Sequence, residues 1–181
     1  MKGIVFTEFL DLVETKFGLE VVDEIIETAQ PASGGIYTSI GTYDFAEMLG
    51  LLQALSKKTS LSIDDLLRVY ADHFFGVLTA SYPGLIERYE DPISLLSSIE
   101  DHIHVEVQKI YPDAELPTFE VVEKTANSLI MIYTSSRAMY SFGLGLMHQT
   151  FGHFNKKAEI LLEKIKPDGT EVKFSITQLD S

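Results

Sequence analysis

The chain has 181 residues, a net charge of −13 and a hydrophobic content of 45%, which fits one domain or at most two small ones. An acidic surface repels phosphate backbones and anionic lipids, so the composition argues against nucleic-acid and membrane-surface roles. The chain contains no cysteine, which excludes disulfides and thiolate metal sites. We expect a cytoplasmic protein, because we find no signal-peptide core and no apolar run of the ~18 residues that a membrane span needs.

The first half of the chain is predicted to be helical. Apolar residues recur at steps of three and four, as on one face of a helix, in the segments 4–17, 19–28, 44–58 and 62–78. Gly18 is expected to end the first helix, and Ser62 is expected to cap the start of the fourth. The fourth helix is apolar over a wide face, which is typical either of a buried core helix or of a helix that lines a ligand cavity.

A fifth helix is predicted from Asp91, a good N-cap residue, to Tyr111, just before a proline. It carries His102 and His104. Residues two apart on an α-helix point about 200° apart, so these two histidines cannot bind one metal together. Periodicity does not decide which of them faces inward, and both also fit as boundary residues of a core helix.

The hydrophobic period changes after this helix. Strands are predicted at 118–124, 128–134, 158–165 and 171–179, and a helix at 138–154. The sequence Pro167-Asp168-Gly169 is a strong turn signal between the last two strands. The predicted layout is a helical N-terminal half followed by an α+β C-terminal half.

Three polar residues with a spacing of two end the second predicted strand. In an extended segment Tyr133, Ser135 and Arg137 would share one face and present a phenol, a hydroxyl and a guanidinium together. All three donate hydrogen bonds, and the arginine fork suits a carboxylate or a phosphate. The pattern fits an anion clamp, and it also fits a solvated strand end.

A helical histidine, an anion clamp and walls rich in Phe, Leu and Met suit a large flat apolar ligand with carboxylates, such as haem. At these residues the sequence resembles the haem-nitric oxide/oxygen binding (H-NOX) family. The resemblance covers essentially the whole chain and includes, in order and spacing, Met1-Lys2-Gly3-Ile4, Ile103-His104-Val105-Glu106-Val107, Tyr111-Pro112-Asp113-Ala114-Glu115-Leu116-Pro117, Tyr133-x-Ser135-x-Arg137 and Gly145-Leu146.

The resemblance implies an α+β H-NOX fold for residues 1–181 as a single domain. A helical subdomain of about residues 1–60 would pack on a subdomain of helices and a four-stranded antiparallel sheet, about residues 61–181, with haem b between them. His104 would be the proximal iron ligand, and Pro117 would press on the porphyrin. Tyr133, Ser135 and Arg137 would bind the haem propionates. The distal pocket would be lined by Val5, Phe9, Phe74, Leu78, Phe142 and Leu146.

The implied function is a gas sensor rather than an enzyme. Five-coordinate ferrous haem would bind nitric oxide and carbon monoxide, and the signal would pass to a separate histidine kinase or to a diguanylate cyclase or phosphodiesterase. Oxygen-binding relatives carry a distal tyrosine where this chain has Phe142, although Tyr140 lies close by in the same helix. The alternatives are an oxygen-binding haem protein, a peroxidase-like enzyme that uses His73 or His148, and a haem-free adaptor.

Overall fold

The computed structural model describes residues 1–179, and this part of the chain contains seven α-helices and a four-stranded sheet. The helices are α1 Gly3–Phe17, α2 Leu19–Ala29, α3 Phe45–Thr59, α4 Ile63–Ser81, α5 Pro92–Ser97, α6 His104–Ile110 and α7 Tyr140–His153. The strands are β1 Thr118–Lys124, β2 Ser128–Thr134, β3 Lys157–Lys164 and β4 Glu171–Leu179. Among the described residues, no helix combines the length and apolarity of a membrane span.

Local sequence signals explain where several helices begin. The side chains of Asp44, Ser62 and Asp91 each accept a hydrogen bond from a backbone N–H in the first turn of α3, α4 and α5. These caps satisfy amide donors that have no partner inside the helix. The predicted break after the first helix is also present, since Gly18 has a φ of +90°, which glycine adopts without steric cost.

The predicted four-stranded antiparallel sheet is confirmed, with the order β1-β2-β4-β3. On β2, Leu129, Met131 and Tyr133 are buried while the residues between them are less buried. Their neighbours on β4 repeat the pattern, and Tyr133 pairs with Val172. Side chains alternate between the faces of a strand, so β2 and β4 together present one apolar face to the core.

Two hydrophobic cores hold the fold together. One joins α1, α2, α3 and the first half of α4, and the other joins the sheet with α5 and α7. The predicted subdomain boundary near residue 60 assigns α4 to the second part, but Leu66, Leu67 and Tyr70 of α4 lie in the first core. The same helix packs along α7. Helix α4 is therefore shared between the two cores.

The prediction of one continuous helix from Asp91 to Tyr111 is wrong. A π-helical turn, Ile99–Ile103, separates α5 from α6. Before it, the hydroxyl of Ser98 donates to the carbonyl of Ser94 at 2.8 Å, a side-chain bond that competes with helix geometry. The amides of His102 and Ile103 then both donate to the carbonyl of Ser98. The apolar periodicity continues through this turn, so the pattern of residues matches that of a continuous helix.

Candidate cofactor-binding site

A predominantly apolar cavity of about 250 Å³ is lined by residues from both cores. Nearly all the site residues predicted from the sequence lie on its wall: Val5, Phe74, Leu78, His104, Pro117, Tyr133, Ser135, Arg137, Phe142 and Leu146. Phe9 does not. It is buried in the N-terminal core with its ring centroid 5.5 Å from that of Tyr70. The cavity is therefore lined by every predicted site residue except Phe9.

His104 stands at the start of α6, with its side chain 15% exposed. Its Nδ1 lies 3.0 Å from Oε1 of Glu100, which leaves Nε2 as the nitrogen available to a ligand. Burial lowers the pKa of His104, and the Glu100 carboxylate opposes that shift. A neutral imidazole with one free ring nitrogen is the form that binds metal ions.

His102 occupies a different environment from His104. Its Nδ1 is 2.8 Å from the hydroxyl of Tyr89, and its ring packs near the same tyrosine. It is not among the residues that line the cavity described above. Periodicity did not decide which histidine faces inward. In the structure His104 faces the cavity and His102 does not.

Tyr133, Ser135 and Arg137 lie together on the cavity wall, but not as members of one extended segment. Strand β2 ends at Thr134. Beyond it, the backbone N–H of Arg137 donates to Oγ of Ser135 at 3.2 Å, and Ala138 has a φ of +49°. A hydroxyl that bonds the backbone two residues onward defines a tight turn. The three side chains therefore converge through a turn rather than through strand alternation.

The guanidinium of Arg137 is engaged by a residue of the segment between α6 and β1. It donates to the main-chain carbonyl of Glu115 at 2.7 Å and forms an ion pair with the carboxylate of the same residue. The Glu115 side chain is 83% exposed, so solvent screens this pair. Burial raises the pKa of Tyr133, which keeps its phenol protonated as a donor beside the arginine.

Tyr140, the alternative distal donor, points away from the cavity. Its hydroxyl donates to Asp64 Oδ2 at 3.1 Å, and Nζ of Lys164 lies 4.7 Å from its ring centroid. Phe142 instead lies on the cavity wall, with its ring centroid 5.1 Å from that of Tyr70. The Tyr70 hydroxyl is occupied, because it donates to the carbonyl of Val5 at 2.6 Å.

The histidines considered for a peroxidase-like reaction also lie elsewhere. His73 links α4 to α1, with Nε2 at 3.2 Å from Oε2 of Glu8. Neither His73 nor His148 lines the cavity. Among the residues that the structure describes, His104 is therefore the one imidazole on this wall.

Sequence reasoning missed several polar residues of the site. Tyr82 and Tyr111 both line the cavity, and their hydroxyls are 3.3 Å apart. Burial raises the pKa of Tyr111 to about 12. Near the same wall, Nζ of Lys2 is 2.9 Å from Asp113 Oδ1. Only Glu100, four residues before His104, had a sequence signal that could have revealed it, since a spacing of four is typical of side-chain pairs on a helix.

The comparisons with known proteins agree with this geometry. A family model described as Haem-NO-binding matches residues 2–162. The unliganded Fe(II) H-NOX protein from K. algicida is 70% identical, with 100% of this chain and 98% of that chain covered and a TM-score of 0.98. No curated protein matches the chain.

Two further solved structures are more distant in sequence. An H-NOX protein from S. oneidensis in the Fe(II)NO state is 25% identical, with 99% of this chain and 100% of that chain covered and a TM-score of 0.90. The IWP-051-bound H-NOX from Shewanella woodyi in the Fe(II)CO state is 36% identical, with 99% and 95% covered and a TM-score of 0.83.

Fold and cavity together define a haem-based gas-sensor domain. More narrowly, the chain belongs to the Haem-NO-binding family, the H-NOX proteins, as the resemblance of its sequence motifs implied.

Proposed function

We propose that this chain senses nitric oxide and carbon monoxide through a five-coordinate ferrous haem b ligated by His104. The observation that carries the proposal is one neutral imidazole on the wall of an apolar cavity, with Nδ1 turned to Glu100 and Nε2 free. A flat apolar macrocycle suits such walls, and an imidazole is a common axial ligand to its iron. When bound, haem supplies an iron atom at which a diatomic gas binds reversibly.

The other wall residues then have distinct roles. Arg137, Ser135 and Tyr133 hold the propionates through a charged fork and two hydroxyl donors. Pro117 lies on the same wall and would press on the ring. The distal side is formed by side chains that exclude water and offer no hydrogen bond: Val5, Phe74, Leu78, Phe142 and Leu146. Phe9 supports this wall from behind, through Tyr70.

The choice of gas ligands draws support from two relatives. The S. oneidensis protein is described in the Fe(II)NO state and the S. woodyi protein in the Fe(II)CO state. Bound oxygen on ferrous haem carries partial negative charge and benefits from a distal donor, whereas nitric oxide depends on one much less. The phenyl ring of Phe142 on the wall, with Tyr140 bonded to Asp64, favours nitric oxide over oxygen.

The axial ligand is tested with a pair of substitutions. His104→Gly is expected to abolish haem retention unless imidazole is added, because imidazole can replace the missing side chain at the iron. His102→Gly is the matched control, since it removes a contact with Tyr89 outside the cavity and should leave the Soret band unchanged. If His102→Gly loses haem and His104→Gly retains it, the assignment of the iron to His104 is wrong.

The proposal includes a cytoplasmic effector in a separate protein, either a histidine kinase or a cyclic-di-GMP enzyme of the diguanylate cyclase or phosphodiesterase type. The resemblance of the sequence to bacterial H-NOX proteins supports this step. The test adds the ferrous protein, with and without nitric oxide, to candidate kinases and cyclases and measures phosphorylation or cyclic-di-GMP turnover. A change of rate that requires nitric oxide and His104 is the expected result.

A further inference from the structure

We propose that Glu100 is the positioning residue for His104, and that its carboxylate accepts the Nδ1 proton and fixes Nε2 as the iron-binding nitrogen. The proposal rests on the assignment of His104 as the axial ligand. Glu100 lies in the π-helical turn, and its Oε1 is 3.0 Å from Nδ1 of His104. No other carboxylate of the described residues is within 4.0 Å of this imidazole.

Glu100 is itself held in place from the sheet. The backbone N–H of Phe119, in β1, donates to the same oxygen at 2.8 Å. One carboxylate oxygen therefore faces a strand amide and the imidazole together. The ring centroid of Phe119 lies 6.1 Å from that of His104 and 5.4 Å from that of Tyr133. A carboxylate anchored to a strand cannot follow the helix freely, which gives the imidazole a fixed orientation.

The contact between Glu100 and His104 spans the junction of the π-helical turn and α6. The wider turn ends at Ile103, so α6 begins with His104 itself. The side chain of Glu100 is 39% exposed, whereas that of His104 is 15% exposed. The carboxylate thus lies between solvent and the imidazole, on the ring edge opposite the nitrogen left for the cavity.

A carboxylate that accepts the outer N–H of a metal-bound histidine fixes its tautomer and raises its basicity. A more basic imidazole donates more strongly to iron, so the structure assigns Glu100 a part in setting the strength of the iron–histidine bond. A residue that only supports β1 would leave that bond unchanged. The strength of the bond decides how readily a ligand on the opposite side of the haem detaches the histidine.

The test compares the ferrous Glu100→Gln protein with wild type by resonance Raman spectroscopy. Glutamine keeps an oxygen that can accept from the Phe119 amide but removes the charge facing His104. We expect the iron–histidine stretching band to move to lower frequency and haem release to accelerate about tenfold, in the range known for such outer partners. Glu106→Gln is the matched control, since Glu106 bonds Lys109 on the exposed side of α6.

The urea midpoints of the haem-free proteins show whether Glu100 also stabilises the fold, in addition to orienting His104. A Glu100→Gln protein with a wild-type midpoint and a lowered band supports positioning. If the iron–histidine band of Glu100→Gln is unchanged, the proposal fails. Instability of a Glu100→Leu protein would then show only that Glu100 supports the fold. His104→Gly tests the axial role of His104 separately from the positioning role of Glu100. If it keeps the band, the axial assignment itself fails; if it loses the band while Glu100→Gln matches wild type, only the positioning role fails.

Discussion

Replacing Arg137 by alanine is expected to accelerate haem loss more than any other change in the anion clamp. A hydrogen bond to a charged partner contributes about 1.5–3 kcal/mol. Since about 1.4 kcal/mol corresponds to a factor of ten, losing one such bond to a propionate raises the dissociation rate roughly 10- to 150-fold. Ser135 offers a neutral hydroxyl worth about 0.5–1.5 kcal/mol, so Ser135→Ala should accelerate loss by roughly 2- to 13-fold.

Replacing Glu115 by alanine is expected to have the opposite effect and to slow haem loss. Its carboxylate and carbonyl now hold the guanidinium that a propionate would need. An exposed ion pair is worth at most about 1 kcal/mol, so its removal in Glu115→Ala should slow haem loss by up to about fivefold. The Arg137 side chain is only 16% exposed, so it remains directed into the site when the competing carboxylate is gone.

Transfer of haem to excess apomyoglobin, followed by the Soret absorbance, measures all these rates in one assay. Arg88→Ala is the matched control, because Arg88 is exposed and lies outside the cavity. The expected order of rates, fastest first, is Arg137→Ala, Ser135→Ala, wild type, Glu115→Ala. Equal rates for Arg137→Ala and Arg88→Ala would refute the clamp, and faster loss in Glu115→Ala would show that this carboxylate supports the arginine rather than competing for it.

Three further predictions concern ligand choice, acid stability and packing. The ferrous protein should form no stable oxy complex in air. Phe142→Tyr adds a hydrogen-bond donor, which should raise the oxygen affinity by up to about tenfold. An oxy spectrum of the wild-type protein that disappears in Tyr82→Phe would contradict this prediction. Asp113 has its pKa lowered to about 2 by hydrogen bonds from Lys2 and Thr42, below the ordinary value of about 3.9, so its stabilising contribution is complete above about pH 4 and lost as the pH falls towards 2. The urea midpoints of wild type and Asp113→Asn should therefore differ at about pH 5 and converge by about pH 2, and a gap independent of pH would refute the linkage. Asp64→Ala should lower the unfolding free energy by about 3 kcal/mol, because two hydroxyls lose a charged acceptor, while the exposed Asp72→Ala should not; equal urea midpoints for the two variants would be the contrary result.

Elements governed by local patterns were predictable from the sequence. The bounds of β1, β2 and β4 match, because alternation and turn residues act over a few positions. Caps at Ser62 and Asp91 match for the same reason. The π-helical turn was not predictable, because Ile99, Ile103 and Val107 continue the apolar steps of a regular helix through it.

Site residues divide in a similar way. His104 and Arg137 were found through a motif, and the structure places both on one wall. Of their partners, Glu100 carries a weak signal in its spacing of four from His104, whereas Glu115 is one of 27 acidic residues in the chain and only the fold distinguishes it. Tyr140 was ambiguous because neighbouring positions on a helix point to different surfaces, and the contact with Asp64, 76 residues away, decides its direction.

The order of strands in the sheet bears on when the site can form during synthesis. β1 and β2 are neighbours in sequence, but β2 also pairs with β4, the last strand of the described chain. Just beyond β2, the backbone N–H of Ser135 donates to the carbonyl of Thr170, which belongs to the turn leading into β4. A nascent chain that has emerged only as far as α7 therefore has the imidazole but not a supported clamp. The clamp is therefore supported only once β4 has been synthesised and has paired with β2.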